Sequence, residues 1–244
     1  MRCVAYKSDY SLMGIVMKQF LVVGGSSGIG LSITQALVRQ GHGVQVWARN
    51  LATIEGAQVI VNDVTSDLNL DLLPDILNGV IYCPGTITLK PFHRLTAEDF
   101  ARDWQINVMG AVATLQAVLP RLKKAEQASV VLFSTVAVSL GMPFHASIAS
   151  AKGAVEALTK SLAAEWAPNI RVNAIAPSLT HTHLAEKLLS SEEKIEAAAK
   201  RHPLQKIGSP EDMAAMAIFL LGAESQWMTG QVMHIDGGLS SVKI

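Results

Sequence analysis

Short runs rich in Val, Ile and Leu alternate along the chain with longer segments in which apolar residues recur every three to four positions. The short runs predict strands and the longer segments predict helices. Their alternation predicts βαβ units, and hence an α/β fold around a parallel sheet. Seven strands are expected: Phe20–Val23, Val44–Trp47, Gln58–Val61, Gly79–Tyr82, Ser129–Phe133, Ile170–Ile175 and Val232–Ile235. Helices are expected over Leu31–Gln40, Thr96–Arg121, Ala149–Trp166 and Pro210–Leu221, with right-handed crossovers between neighbouring strands. Two connections are lean. Leu51–Ala57 leaves room for about two helical turns, roughly 10 Å. Ser66–Asn78 contains Pro74 and admits only a clipped helix, so that edge of the sheet is expected to be thinly covered.

The first strand runs into Gly24-Gly25-Ser26-Ser27-Gly28-Ile29-Gly30 and then into the amphipathic pattern of Leu31, Ile33, Ala36 and Leu37. Strand, glycine loop and helix in this order form a phosphate cradle. Gly24 permits a tight turn, Gly28 lets backbone approach a pyrophosphate, Gly30 lets helix and strand pack closely, and the first N–H groups of the helix face the anion. About nineteen residues past Gly30, the second strand ends in Trp47-Ala48-Arg49-Asn50, with no carboxylate placed to accept from a ribose 2′-hydroxyl. Arg49 instead offers a fork of donors suited to a 2′-phosphate, which favours NADP over NAD.

Composition narrows the class further. Half of the 244 residues are apolar and 16% are charged, enough to bury a large core, and the length suits one large domain. Lys plus Arg equal Asp plus Glu at 20 each, so no basic stripe points to nucleic acid. No apolar run approaches the roughly 20 residues that span a bilayer. Cys3 and Cys83 are too few for a disulfide scaffold, and a reducing cytoplasm is the expected compartment. Asp9, Tyr10 and Ser11 break any signal-like apolar segment before Met17, itself a possible start, so residues 1–17 are read as an extension and 18–244 as the domain.

From Lys18 to the C-terminus the order of motifs resembles the short-chain dehydrogenase/reductase family. Besides the glycine loop, Asp63-Val64-Thr65 is similar to its adenine-contacting strand end, and Ile106-Asn107-Val108 carries its Asn. Arg171-Val172-Asn173-Ala174-Ile175-Ala176-Pro177 and the stretches Met228–Gln231 and Asp236–Gly238 match its late strands. Tyr82-Cys83-Pro84-Gly85 stands where that family has Asn-Asn-Ala-Gly, with only Gly85 matching. The resemblance implies a single-domain, doubly wound Rossmann-type sheet of about seven parallel strands with helices on both faces. It also implies a small carbonyl or alcohol substrate, cofactor contacts from residues 24–30, Asp63, Val64, Cys83, Pro84, Gly85, Lys152, Thr180 and Thr182, and catalytic roles for Asn107, Thr135 and Lys152.

One position departs from that family. Its chemistry needs a tyrosine four residues before the lysine, one helical turn away, so that the ammonium lowers the phenol's pKa. Lys152 is in place, and Ile148 stands where the tyrosine belongs. Thr135 occupies the family's serine position, with a hydroxyl that still donates. His145 precedes the helix, has a suitable unperturbed pKa, and is a candidate substitute for the phenol; a loop histidine touching substrate is the alternative. Tyr82 is expected to be packed. His181 and His183 lack a third ligand, so no metal site is expected.

Residues 178–203 resemble the family's substrate-covering lid, with Leu184–Lys200 amphipathic and Leu179, Leu184, Leu188 and Leu189 apolar. The long helices carry more apolar residues than one buried stripe needs, so a homodimer or homotetramer is expected. Two functions remain open: an NADP-dependent carbonyl reductase or alcohol dehydrogenase whose proton comes from His145, Thr135 or a water held by Lys152, and a catalytically silent dinucleotide-binding protein with a sensing or assembly role.

Overall fold

The computed structural model describes residues 17–243, and the expected extension lies outside the described residues except for Met17. Seven parallel strands form one sheet in the order β3-β2-β1-β4-β5-β6-β7. They are β1 (Gln19–Val23), β2 (Gly43–Ala48), β3 (Ala57–Val61), β4 (Gly79–Tyr82), β5 (Ala128–Phe133), β6 (Ile170–Pro177) and β7 (Val232–Ile235). Between them lie α1 (Gly28–Arg39), α2 (Ala97–Trp104), α3 (Gly110–Leu122), α4 (Ala137–Leu140), α5 (Ala146–Trp166), α6 (Glu192–Ala199) and α7 (Pro210–Leu221). The Rossmann-type α/β architecture is therefore as expected.

Side chains alternate between two cores because successive strand residues point to opposite faces. Leu21, Val23, Trp47, Val80 and Leu132 pack on one face with Leu115 and Val118 of α3 and Val155 of α5. Phe20, Val22, Val46, Ile81 and Val131 pack on the other with Ile33 and Leu37 of α1 and Ala217 and Leu220 of α7. Both faces being covered explains why β1, β4 and β5 read as nearly continuous apolar runs.

The two lean connections take no helix at all: over 51–57 and 66–78 the chain passes through turns and extended backbone. In the second stretch Leu68, Leu70, Leu73 and Leu77 still reach the core, so apolar contact is made without helical hydrogen bonds. The expected helix over 96–121 is also interrupted, because Gln105–Met109 forms a π-turn between α2 and α3. Its start is well specified: Thr96 and Asp99 form a reciprocal capping box.

The strand order reverses between β1 and β4, which opens a crevice at their C-terminal ends. At the far edge Arg171 of β6 ties β7's approach to α7. Its guanidinium donates to the carbonyls of Leu220 (2.8 Å) and Gly222 (3.3 Å) at the helix end, and of Met228 (3.3 Å). Replacing Arg171 by Leu removes its donors from these carbonyls, which keep bonds from Ser129, Ser225 and Asn173. It is expected to lower unfolding free energy by about 1 kcal/mol in a denaturant titration; an unchanged midpoint would show that the remaining donors already satisfy these groups.

Candidate active site

β1 delivers the chain to Gly24 with φ +73°, a conformation that favours glycine. The Gly24 N–H donates to the Trp47 carbonyl at 2.7 Å, which fastens the loop to the end of β2. Gly30 sits so close to this turn that a Cβ there would lie 2.2 Å from the Gly24 carbonyl oxygen. Ser27 is the N-cap of α1 but makes no side-chain capping bond, so the first N–H groups of the helix are left to other acceptors. Together these backbone donors and the helix dipole can hold an anion. Thr182 stands over the loop, its methyl 3.5 Å from the point a Gly28 Cβ would occupy.

Arg49 follows β2 and is exposed; Asp63 follows β3. The Asp63 carboxylate accepts from the hydroxyl (2.7 Å) and N–H (2.9 Å) of Thr65, which hold it below the usual carboxylate range, with a smaller pull from Arg49. The two predicted residues of this edge are thus electrostatic neighbours. Val64 turns inward, packing on the core and against Gly110.

From β4 the chain passes through Cys83, Pro84 and Gly85. Pro84 packs on the glycine loop, 3.2 Å from where a Gly24 Cβ would stand. The Cys83 N–H donates to Val23 at 3.0 Å, and burial pushes its thiol up to about 12. Gly85 lets two side chains approach its backbone closely: a Cβ on it would lie 3.2 Å from Asn107 Oδ1 and 3.6 Å from Lys152 Nζ. Lys152 is buried, and its ammonium donates to the Phe133 carbonyl at 2.8 Å. Burial lowers its pKa to about 8, against an opposing pull from Cys83 and Asp103. One turn earlier on α5, Ile148 is only 4% exposed.

Asn107 occupies the π-turn, a geometry that frees a carbonyl from the helical ladder. The Tyr82 hydroxyl donates to the Ile106 carbonyl at 2.6 Å, and burial pushes the phenol well above its ordinary value. Tyr82 is therefore a packed, structural residue here. Asn107 Nδ2 donates to Thr86 Oγ1 (2.9 Å) and to the Asp103 carbonyl (2.8 Å), while its Oδ1 is buried without a partner. Sequence reasoning passed over Thr86 and Asp103. The available signal was a charged residue one turn before Asn107, on the same helical face.

The other predicted residues are more dispersed. Thr135 lies just beyond β5, two residues past Phe133, and its hydroxyl accepts from the Ala137 N–H at 3.3 Å. His145 is the N-cap of α5, and its Nδ1 donates to the Pro143 carbonyl at 2.7 Å. Thr180 is buried and donates to the Ser178 carbonyl at 3.0 Å. His183 pairs with Glu186 at 2.9 Å, one turn along its own segment. Ser178 meets a residue the sequence did not single out. His202, 2% exposed, donates from Nδ1 to the Ala198 carbonyl and so accepts from the Ser178 hydroxyl at Nε2, each at 2.8 Å. This pair ties the end of β6 to the segment after α6.

A family model described as enoyl-(acyl carrier protein) reductase matches residues 23–240. A tropinone reductase homolog of Arabidopsis thaliana is 32% identical over 251 residues, which covers 95% of this chain and 94% of that protein. An inactive 2-(S)-hydroxypropyl-CoM dehydrogenase 2 of Xanthobacter autotrophicus is 33% identical over 171 residues, 68% of this chain and 74% of its own. The crystal structure of a short chain dehydrogenase family protein from Francisella tularensis is similar with a TM-score of 0.87 at 27% identity, covering 93% of this chain and all of that one.

Tyr82→Phe leaves the ring in place and removes the donor from Ile106. The unpaired carbonyl is expected to cost about 1–3 kcal/mol of stability, read from the denaturation midpoint. A wild-type midpoint would mean that the π-turn does not depend on Tyr82.

Proposed function

The chain belongs to the short-chain dehydrogenase/reductase family, and from that premise we propose that it is an NADP-dependent carbonyl reductase or alcohol dehydrogenase whose proton donor is not a tyrosine. The observation that carries this reading is the convergence, close to the bare backbone of Gly85, of a buried ammonium and an unpartnered amide oxygen. The residues fit a dinucleotide. Gly24 and Gly30 shape the turn and its packing, and Gly28 leaves room for a pyrophosphate against the N–H groups of residues 25–30, including Gly25, Ser26, Ser27 and Ile29. Arg49 binds the 2′-phosphate, Asp63 and Val64 border the adenine, and Cys83, Pro84 and Gly85 line the path toward Lys152, which holds ribose hydroxyls. Thr180 and Thr182 hold the carboxamide end.

When bound, the nicotinamide supplies or accepts the hydride. Thr135 donates a hydrogen bond to the substrate oxygen, and Asn107 and Lys152 order the donor side of the pocket. Ile148 has no proton to give. Of the substitutes, water held by Lys152 fits best, because the ammonium is buried at the site and its pKa near 8 suits proton transfer around neutrality. The His145 ring bonds to Pro143 through Nδ1 and keeps Nε2 for a secondary role.

A second reading, a catalytically silent dinucleotide-binding protein, draws support from the hydrocarbon at Ile148 and from the relative whose name marks it inactive. Residues 178–203 cover the substrate in the first reading. A cytoplasmic homodimer or homotetramer accords with half-exposed Trp104 on α2 and with the lack, among the described residues, of any helix long and apolar enough to cross a membrane.

NADPH titration followed by a screen of aldehydes, ketones and β-keto thioesters separates the readings: binding without turnover would leave only the silent one. Ile148→Tyr is expected to raise reductase activity about ten-fold or more by restoring a phenol beside Lys152; no gain would mean that the pocket does not admit the phenol's geometry. Arg49→Ala is expected to weaken NADPH about ten-fold more than NADH, and equal losses would refute the NADP preference. Turnover should decline as pH rises above about 8, where the Lys152 ammonium loses its proton.

A further inference from the structure

Asp103 is completely buried, yet three hydroxyls converge on its carboxylate. Thr86 Oγ1 donates to Oδ1 at 2.6 Å, Thr88 Oγ1 to the same oxygen at 3.0 Å, and Ser147 Oγ to Oδ2 at 2.7 Å. The anion comes from α2, the threonines from the loop after β4, and the serine from α5 beside Ile148. One side chain thus joins the three segments that bound the candidate site.

The directions of these bonds are determined by what each group can do. A carboxylate only accepts, so Thr86 must spend its hydrogen on Asp103 and has only lone pairs to offer Asn107. Asn107 answers with Nδ2, whose other hydrogen goes to the Asp103 main-chain carbonyl. Turning the amide over would set its oxygen against two acceptors. Oδ1 is therefore held away from this network, toward Gly85 and Lys152, where it is buried and unpartnered. Thr88 is held in the same sense, since Arg102 donates to its oxygen at 3.0 Å.

Charge leads to the same residue. Around Lys152, the Cys83 thiol at the end of β4 is pushed up to about 12, so its pull on the ammonium needs a thiolate that is scarce near neutral pH, and the buried Tyr82 phenol is neutral there too. Glu156, one turn further along α5, accepts from the Ser134 hydroxyl at 2.6 Å. Asp99, with Lys90 at 2.7 Å and Arg102 at 3.7 Å, forms a separate ion cluster beyond Thr88. Asp103 is the carboxylate whose field favours the ammonium of Lys152.

We propose that Asp103 is a positioning residue of this site: through Thr86 it holds Asn107 Oδ1 toward Lys152, and it supplies the buried negative charge that steadies the Lys152 ammonium for the ribose of the dinucleotide. The ribose part rests on the NADP reading above.

Two measurements test it. NADPH affinity, followed by nicotinamide fluorescence between pH 6 and 10, is expected to fall as pH rises through the Lys152 midpoint near 8. In Asp103→Asn, with folding checked by circular dichroism, that midpoint should drop by about one pH unit and affinity at pH 8 by about five-fold. Glu156→Gln, which removes the other nearby carboxylate, should keep the wild-type midpoint. A folded Asp103→Asn with the wild-type midpoint overturns the charge role. The second measurement needs no cofactor and covers the case in which Asp103→Asn does not fold. Thr86→Val cuts the link to Asn107 and keeps the charge. The Asn107 side-chain amide hydrogens, seen by NMR, should then exchange with solvent about ten-fold faster or more, with Thr86→Ser restoring the slow rate. Wild-type protection in Thr86→Val overturns the positioning role. If the wild-type protein binds no NADPH at any pH, the cofactor reading fails, and amide exchange still decides the place of Asp103.

Discussion

Lys152 carries its ammonium from the middle of α5 to the Phe133 carbonyl at the end of β5, and in doing so takes a cation out of water. Such a charge is costly to bury unless it is hydrogen-bonded and faced by an opposite charge. The region around it meets both needs. A central strand supplies the carbonyl, a buried aspartate supplies the field, and the nearest thiol and phenol are held neutral by the same burial. The result is a lysine that titrates near 8, inside the range where proton transfer is useful.

Around that lysine, two kinds of rigidity meet. The glycine loop is shaped by backbone: Gly30 is pressed against the Gly24 carbonyl, and Gly24 is fastened to the end of β2. The opposite wall is shaped by side-chain hydrogen bonds, with Tyr82 bracing the π-turn and Asp103 collecting three hydroxyls from the loop after β4 and from α5. Strand order brings the walls together, because the reversal between β1 and β4 sets Pro84 directly on the loop. Ile148 is buried on the same helix that delivers Lys152, one turn before it, and fits the framework of this junction.

Much of this was legible along the chain. β4 and β7 fall at their expected limits, α7 begins and ends where Pro210 and Leu221 suggested, and the glycine loop joins β1 to α1 in the expected order. Lys152, Asn107 and Gly85 were each singled out, and they do meet. The helical turns that length allowed on either side of β3 do not form, because apolar periodicity in a short segment reports contact with the core and not hydrogen bonding within the segment. The π-turn was invisible for a related reason: the phenol that bonds its Ile106 carbonyl comes from β4, far away in sequence. Ser178 and His202 meet only through the fold.

The sequence by itself determined the βαβ order, the glycine-rich loop after the first strand, the lysine on its helix and the isoleucine one turn before it. These are local properties, written in periodicity, in glycine's tolerance of positive φ and in helical spacing. Only the tertiary structure decided the state of the site: the lowered pKa of Lys152, the buried, unpartnered oxygen of Asn107 and the gathering of hydroxyls at Asp103. Each depends on desolvation and on hydrogen-bond direction between residues distant along the chain, and both arise only when the sheet and its helices close over them.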